Sequence, residues 1–247
     1  MLFILRQLRR LELRKRSGQY FLYAFGEIVL IVVGILIAVQ INDWKDERKL
    51  EQQRSELIEN LQKDFRTNQE RLESSIQIIG QNDEDLVEFL TVISSGKDEL
   101  SLEELQRMVD SGFRHEIFQP ALGAWNAAIS TGAVGLLDSP LLNELVAEFE
   151  QAIADFHRTD ELSGELMFRG SFWEVRKRLG SLHNLVLDDY YRPQIFSRTV
   201  DQYQTFFTEP EVYAAFENMQ WIYRNEHEIL SAAKELTEKI LNTLDEL

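Results

Sequence analysis

The sequence predicts an all-α protein, with one N-terminal transmembrane helix that continues into a long stalk helix, followed by an extracytoplasmic helical bundle. Three observations predict this class. An apolar run from Tyr20 to Ile41 is long enough to cross a bilayer, since ~1.5 Å of rise per residue gives it ~33 Å. Apolar residues recur at helical spacings through most of residues 45–247, and the chain holds only 4 prolines and 12 glycines.

Charge separates the N-terminal region from the rest of the chain. Residues 1–41 carry six basic and two acidic side chains, a net of +4, so the net charge of −16 leaves −20 for residues 42–247. A region this acidic repels phosphate backbones, which excludes nucleic acid as a partner, and it disfavours lying flat on anionic lipid. The sequence has no cysteine, which excludes disulfides, thiol catalysis and zinc–thiolate sites.

Residues 1–19 are predicted to be a basic amphipathic cytoplasmic segment. At 100° per residue, its leucines and isoleucines share one arc and its arginines lie opposite, which suits a helix in the headgroup region. Six Lys or Arg residues precede the apolar run and four follow it closely. The positive-inside rule then places the N-terminus in the cytoplasm and residues 45–247 on the extracytoplasmic side of the membrane. The predicted membrane-interface anchors are Arg6, Arg9, Arg10, Arg14, Lys15, Arg16, Tyr20 and Trp44.

Residues 20–44 are predicted to be the transmembrane helix. A cleaved signal peptide is disfavoured because the run exceeds the usual apolar length of ~7–15 residues and no Ala-x-Ala-like site follows it. A buried core helix of a soluble protein is the other alternative. Such helices rarely run this long with Glu27 as the single charge.

One face of this helix is predicted to contact a second transmembrane helix, either a copy of itself or another subunit. Taking Glu27 as the reference, Gly34 and Ala38 lie within ~20° of it at 100° per residue. Small residues let backbones approach closely, and a polar side chain avoids lipid by facing a partner. The predicted interface is Tyr23, Glu27, Ile31, Gly34, Ala38 and Ile41. For Glu27, a proton-handling carboxylate and a structural, interhelical hydrogen-bonding residue both remain open.

The run from Leu22 to Lys49, LYAFGEIVLIVVGILIAVQINDWKDERK, resembles the signature of an uncharacterised family of bacterial single-pass membrane proteins. The resemblance covers a Tyr-Ala-x-Gly-Glu-Ile opening, a Gly-Ile-Leu-Ile-Ala middle and an Ile-Asn-x-Trp exit. The residues that carry it are Tyr23, Gly26, Glu27, Gly34, Ala38, Gln40, Asn42 and Trp44. The family is a domain of unknown function, so the resemblance implies no activity. It implies a topology, a single pass through a bacterial inner membrane with the N-terminus in the cytoplasm and the C-terminal domain in the periplasm.

Residues 45–247 are predicted to form one acidic, all-helical domain. The first helix should run from the membrane to about Ile79 and break at Gly80, with Asn68 as an interruption of its apolar stripe that favours a bundle over a coiled coil. A short helix follows over residues 83–94. Ser101 and Glu104 match a capping box for the next helix.

Further cap signals divide the second half of the domain. Residues 121–131 should form a helix that ends at Gly132, and Ser139 followed by Pro140 should start another that continues past Gly164 to Leu179. Thr208 and Glu211 match a second capping box, ahead of a final helix to the C-terminus. Residues 188–193 are predicted to be a polar–aromatic loop or helix end.

No catalytic motif or cofactor signature occurs in the sequence, so we expect no enzyme and no cofactor. The four histidines form no His-x-x-x-His or Glu-x-x-His pair, so we expect no metal site; the spacing of Asp155, His157 and Asp160 does not place them on one helical face. Trp125, Trp173 and Trp221 occur at apolar spacings and favour core positions over a ligand platform.

Three functions fit these features. The first is a membrane-anchored interaction or scaffold protein that oligomerises, or binds another membrane subunit, through its transmembrane helix and presents the outer domain. The second is a proton-coupled transport or stator-like subunit that uses Glu27. The third is an extracytoplasmic ligand sensor, or an enzyme, with a pocket in the helical domain. The expected partners are the lipid bilayer and a homo-oligomer or another membrane subunit.

Overall fold

A computed structural model describes residues 2–96, 101–179 and 200–247, with side chains from Phe25 onward. Leu102, Glu103, Gln106, Met108, Leu179 and Val200 are described by their backbone only. Within these ranges the chain forms α-helices, one 3₁₀ turn and no strand, which confirms the all-α prediction. The elements are α1 (Leu2–Ser95), α2 (Leu102–Ser111), α3 (Gly123–Thr131), the 3₁₀ turn Ala133–Leu136, α4 (Pro140–Phe168), α5 (Ser171–Leu179), α6 (Val200–Phe207) and α7 (Pro210–Asp245). The predicted loop at 188–193 lies outside the described residues.

Helix α1 continues through Gly80, so the predicted break there is wrong. Gly80 lies against α7, where a Cβ atom added to it would be 3.3 Å from the His227 ring. Glycine therefore serves close packing of two helices at this position instead of ending one. The residues predicted as a separate short helix are the last turns of α1, and their apolar side chains Leu86, Phe89, Leu90 and Ile93 are buried.

The chain divides into two compact units, Met1–Glu56 and Leu57–Leu247. The first unit contains only the N-terminal part of α1. The second contains the rest of α1 and the helices α2–α7, which surround one hydrophobic core.

Helix α7 runs antiparallel to α1 along the second unit. Three side-chain contacts fix this direction: Gln62 with Asp245, Glu73 with Lys234, and Asp83 with Gln220. Apolar residues recur every three or four positions along α7, so one face of the helix faces the core. The fully buried members of that face include Phe216, Met219, Leu230, Ala233 and Ile240.

Aromatic rings join five parts of the second unit. Phe216 of α7 lies 4.7 Å from the Phe89 ring of α1 and 4.9 Å from the Phe172 ring of α5, measured between centroids. Phe207 of α6 and Phe113, which follows α2, also contact Phe216. Most of these pairs are edge-to-face, the arrangement that the ring quadrupole favours.

The segment 112–122 joins α2 to α3 without regular structure, and we call it the strap. A polar stripe of α1 binds it largely through its backbone. Asn68 accepts from the Ala121 N–H at 2.6 Å and donates to the Ala121 carbonyl at 2.9 Å, while Arg71 donates to the Gln119 carbonyl at 3.0 Å. Asn68 therefore has a structural role in the apolar stripe, because its amide provides the Ala121 N–H and carbonyl with the hydrogen-bond partners that regular secondary structure would otherwise supply.

The cap predictions are confirmed in part. Ser101 and Glu104 form the capping box, Gly132 ends α3 in a left-handed conformation, and Ser139 caps α4 ahead of Pro140. The second predicted capping box is wrong, because the Thr208 hydroxyl donates back to the Thr205 carbonyl. Pro210 takes the first position of α7 and makes Glu209 the cap residue.

The predicted single helix from Pro140 to Leu179 is also wrong. The observed helix, α4, continues through Gly164 but ends at Phe168, because the Arg169 and Gly170 N–H groups both donate to the Glu165 carbonyl. A Cβ atom added to Gly170 would lie 3.0 Å from the Leu166 backbone, so only glycine fits this turn without a shift.

Candidate functional site

The predicted transmembrane interface lies on the N-terminal part of α1, in the first unit. In the described range, twelve large apolar side chains between Phe25 and Ile41 are 44–74% exposed. No atom outside the helix lies within 4 Å of a Cβ added to Gly26 or Gly34. The structure therefore leaves the Gly34–Ala38 stripe open to a second helix, and Glu27 is exposed beside it.

By length and composition, α1 can cross a membrane. Its most apolar 18-residue window has a mean hydropathy of 2.2, and none of that window is buried within the chain; among the described residues it is the one helix that meets this test. A core helix would be mostly buried.

One predicted membrane-interface anchor is described with its side chain. Trp44 is about half exposed, and the Arg48 guanidinium lies 4.5 Å from the centroid of its ring. This pair combines an amphipathic indole with a cation, a combination common at the headgroup level. The side chains of the predicted anchors from Arg6 to Tyr20, and of Tyr23, lie outside the described set.

A second candidate site lies in the second unit, where α4, α7 and the strap meet. It consists of His115 from the strap, His157 and Asp160 from α4, and Tyr223 and Glu226 from α7, and we call it the acid–histidine cluster. Next to the two acids in the chain, the Asn225 amide donates a hydrogen bond to the Thr159 hydroxyl at 3.3 Å. This bond joins α7 to α4 beside Glu226 and Asp160.

Glu226 occupies an apolar position of α7, four residues from Ile222 and four from Leu230, and is only 3% exposed. Burial, together with the nearby charge of Asp160, raises the pKa of Glu226 to about 8. Glu226 is therefore protonated at neutral pH, since a charged carboxylate there would be desolvated beside a second one.

Asp160 is the second acid of the cluster. Burial raises the pKa of Asp160, while His115 and His157 act in the opposite direction and Glu161 raises it. The His115 Nε2 atom lies 3.1 Å from Asp160 Oδ1, an ion-pair distance without hydrogen-bond geometry. His115 stabilises the Asp160 carboxylate only when the imidazole is protonated.

Two further members of the cluster bind the strap through its carbonyls. The Tyr223 hydroxyl donates to the Arg114 carbonyl at 2.6 Å and the Ser111 carbonyl at 3.0 Å. Burial raises the pKa of Tyr223, so its hydroxyl remains a donor at any ordinary pH. The His157 ring nitrogen lies 3.1 Å from the Phe118 carbonyl.

The chemistry available to this cluster is proton uptake and release. Within the described ranges, no group of three or more His, Asp or Glu side chains is arranged to hold a metal ion. Of the three residues weighed for a metal, Asp155 instead accepts from Gln151 and pairs with Arg158.

Sequence reasoning missed this cluster, because Asp160 and Glu226 are far apart in the chain. One signal was present: Glu226 interrupts the apolar positions of α7 as the only acid among them. Two of the tryptophan predictions are wrong as well. Trp125 is buried, but Trp173 is 38% and Trp221 58% exposed, since both lie on the outer faces of their helices.

One family model matches residues 27–166, more than half of the chain, and it describes a family of unknown function, DUF6090. The match includes most of the apolar segment and the helices up to α4, and leaves α5, α6 and α7 outside it. No curated protein and no solved structure matches the chain.

Proposed function

The chain belongs to the family of unknown function DUF6090, and since that membership brings no activity with it, we propose a function from the residues themselves. The protein is a membrane-anchored helical interaction protein. It associates in the bilayer through one face of α1 and presents residues 45–247 on the periplasmic side of a bacterial inner membrane.

The observation that carries this proposal is the apolar surface of α1. Burying one large apolar side chain is worth about 1.5–3 kcal/mol, so the exposed set between Phe25 and Ile41 represents well over ~10 kcal/mol in water. A lipid bilayer covers an apolar surface of this kind. The basic residues before it and the acidic residues after it support insertion with the N-terminus in the cytoplasm.

Association through the Gly34 face is supported by the space around that glycine. A helix pair in lipid gains stability from close backbone packing, which Gly34 and Ala38 permit, and Glu27 on the same face is relieved of lipid contact. The partner is a second copy of the chain or the helix of another membrane subunit.

The test compares Gly34→Leu with Gly26→Leu in the full chain, purified in mild detergent and returned to lipid nanodiscs. Both glycines lack neighbours within 4 Å, but Gly26 lies ~100° away from the Glu27 reference on the helix. We expect wild type and Gly26→Leu to give oligomers, or a stable heterocomplex, by native mass spectrometry. Gly34→Leu should raise the monomer fraction about tenfold. A wild-type protein that stays monomeric at every concentration, or equal behaviour of the two variants, would contradict the proposal.

A second candidate, proton handling by Glu27, is favoured by one feature: Glu27 is the only ionisable side chain between Arg16 and Asp43 other than tyrosine. An acid this isolated in a span is a default candidate for proton transfer. Vesicles that contain Glu27→Gln should then show slower proton uptake under an imposed pH gradient than wild-type vesicles. Equal rates would leave Glu27 as a packing residue.

A further inference from the structure

The contact face of α1 continues outside the predicted span as a row of basic side chains. From Gly34, alternating steps of four and three residues lead through Ala38 and Ile41 to the first positions beyond the apolar run. These positions hold bases, and at 100° per residue they share an arc of ~100° around the direction of Gly34. We call them the basic row: Lys45, Arg48 and Lys49.

The acids of the same stretch lie on other sides of the helix. The three acids from Asp43 to Glu47 are at least ~100° from the Glu27 reference. All three bases of the row are exposed, and among the described residues none of them forms an ion pair with a carboxylate. Arg48 contacts the Trp44 ring instead. The row is therefore a one-sided positive surface that the described part of the chain does not neutralise.

We propose that the partner on this face is another membrane subunit, whose helix carries acidic side chains just outside the bilayer, level with the basic row. Paired charges then continue the contact that Gly34 and Ala38 make within the bilayer. The inference rests on the proposed function, because it assumes association through the Gly34 face. It selects one of the two partners named there.

A second copy of the chain is disfavoured by the symmetry of a parallel pair. Two copies in one membrane have the same orientation, so each residue of a shared face lies opposite its own copy. Lys45 then faces Lys45 and Arg48 faces Arg48, at positions where a stable helix pair holds apolar side chains. Like charges at such positions repel, and the face has no apolar residue between Ile41 and Gln52 to offset them.

Lipid headgroups do not account for the position of the row. Headgroups surround a helix on every side, so bases that serve only lipid need not share an arc with the small residues of the span. An acidic partner helix requires this alignment, because its carboxylates approach from the side on which Gly34 lets the two backbones meet. Opposite charges across such a contact also select the partner and fix its register.

The test uses a charge-reversed copy of this chain as the acidic partner. In that copy Lys45→Glu, Arg48→Glu and Lys49→Glu replace the basic row, and it is co-expressed with the unreversed chain in a bacterial host. Both copies carry Ile41→Cys, since the chain has no cysteine of its own, and oxidation of the membranes links helices that meet at this face. A tag on one copy separates mixed dimers from self-pairs by size on a non-reducing gel.

We expect mixed dimers to exceed self-pairs about fivefold, because three opposite-charge contacts replace three like-charge ones, whereas random pairing gives equal amounts. Salt should weaken this preference, since exposed charges are screened. The matched control is Leu50→Glu with Gln53→Glu, which adds acids at a similar level but ~100° or more from the direction of Gly34. This control copy should pair with the unreversed chain at random.

Three results would overturn the inference: equal amounts of mixed dimers and self-pairs, an equal preference with the control copy, or no mixed dimers at all. A fourth comes from purified chains in phosphatidylcholine vesicles. If added phosphatidylglycerol abolishes the preference there, lipid headgroups occupy the row and the inference is wrong.

Gly34→Leu distinguishes the failure of this inference from that of the proposed function. Abundant self-pairs of the unreversed chain that Gly34→Leu abolishes would contradict the inference and leave the proposed function intact. Mixed dimers that persist when both copies carry Gly34→Leu would contradict association through the Gly34 face, while the preference for acids opposite the row remains.

Discussion

Asn68 shows how one polar residue in an apolar stripe fixes a neighbouring segment. It is fully buried on α1, and it makes two hydrogen bonds to the backbone of a single strap residue, Ala121. An amide is the side chain that matches a backbone N–H and C=O together, since it offers one donor group and one acceptor. The strap contributes no helix or sheet bonds of its own at this point, so its position depends on such side chains.

Truncation at this position should therefore be strongly destabilising. Asn68→Ala leaves the half-buried Ala121 N–H and carbonyl without this partner and opens a small cavity, which we expect to lower the free energy of unfolding by about 2–4 kcal/mol. Thr67→Ala is the control, because Thr67 is partly exposed and its hydroxyl bonds only to the Lys63 carbonyl within α1. Urea denaturation followed by circular dichroism measures both. Equal midpoints for the two variants would contradict this role of Asn68.

Glu226 predicts the pH dependence of global stability. Its pKa is raised to about 8 in the folded chain from an ordinary 4.5, so the folded state holds a proton that the unfolded state has lost between these values. The contribution of this group to stability should therefore fall as pH rises from about 4.5 to about 8, and it should change little above pH 8. Replacing the acid by a neutral amide removes this loss, and we expect Glu226→Gln to be roughly 2–4 kcal/mol more stable than wild type at pH 9 and nearly equal at pH 5. Urea titrations at both values measure this, and a Glu226→Gln variant less stable than wild type at pH 9 would contradict it.

At the scale of the helices, two glycines differ in the space that surrounds them. Gly164 lies inside α4 with open space around its Cβ position, whereas Gly112, after α2, is enclosed by the rings of Phe216 and Phe172. The same residue type thus serves an ordinary helical position in one case and a tight aromatic contact in the other.

This difference gives opposite expectations for one substitution. Gly164→Ala should raise stability by about 0.5–1 kcal/mol, because alanine favours the helix and meets no neighbour. Gly112→Ala places a Cβ atom 3.0 Å from Phe216 and should lower stability by about 1–3 kcal/mol. Thermal unfolding of the two variants beside wild type is the measurement. A stabilising Gly112→Ala would show that the aromatic cluster is looser than these distances indicate.

The sequence predicts elements well where a local signal specifies them, and less well where packing does. The caps at Ser101, Ser139 and Gly132 were predictable because their bonding partners lie within a few residues. The continuation of α1 through Gly80 was not, because the reason lies in His227 on another helix. The acid–histidine cluster was missed for the same reason, since burial and charge proximity depend on the tertiary arrangement of α4, α7 and the strap.

For the whole molecule, the separation of charge along the chain determines the predicted topology. The region before the span is net positive and the region after it carries −20. The strong negative charge of the second region favours solubility and opposes adsorption to anionic lipid.

The absence of cysteine from the sequence allows this topology to be tested directly. Single cysteines introduced as Ser17→Cys and Ser130→Cys provide one thiol on each side of the predicted span, and Ser130 is exposed on α3. A membrane-impermeant maleimide added to intact spheroplasts should label Ser130→Cys and leave Ser17→Cys unlabelled until the cells are lysed. The reverse pattern would invert the topology, and labelling of both in intact cells would exclude a membrane-spanning anchor.

The packing of α4 against α7 has a practical consequence for anyone who would produce a shortened version of this protein. The family match stops at residue 166, inside α4, yet the buried face of that helix, with Val146, Phe149, Ile153 and Phe156, belongs to the same core as α7. A recombinant fragment cut at that limit would display these side chains to the medium and precipitate or recruit chaperones. Expression boundaries should follow the architecture, with every helix through Asp245 retained.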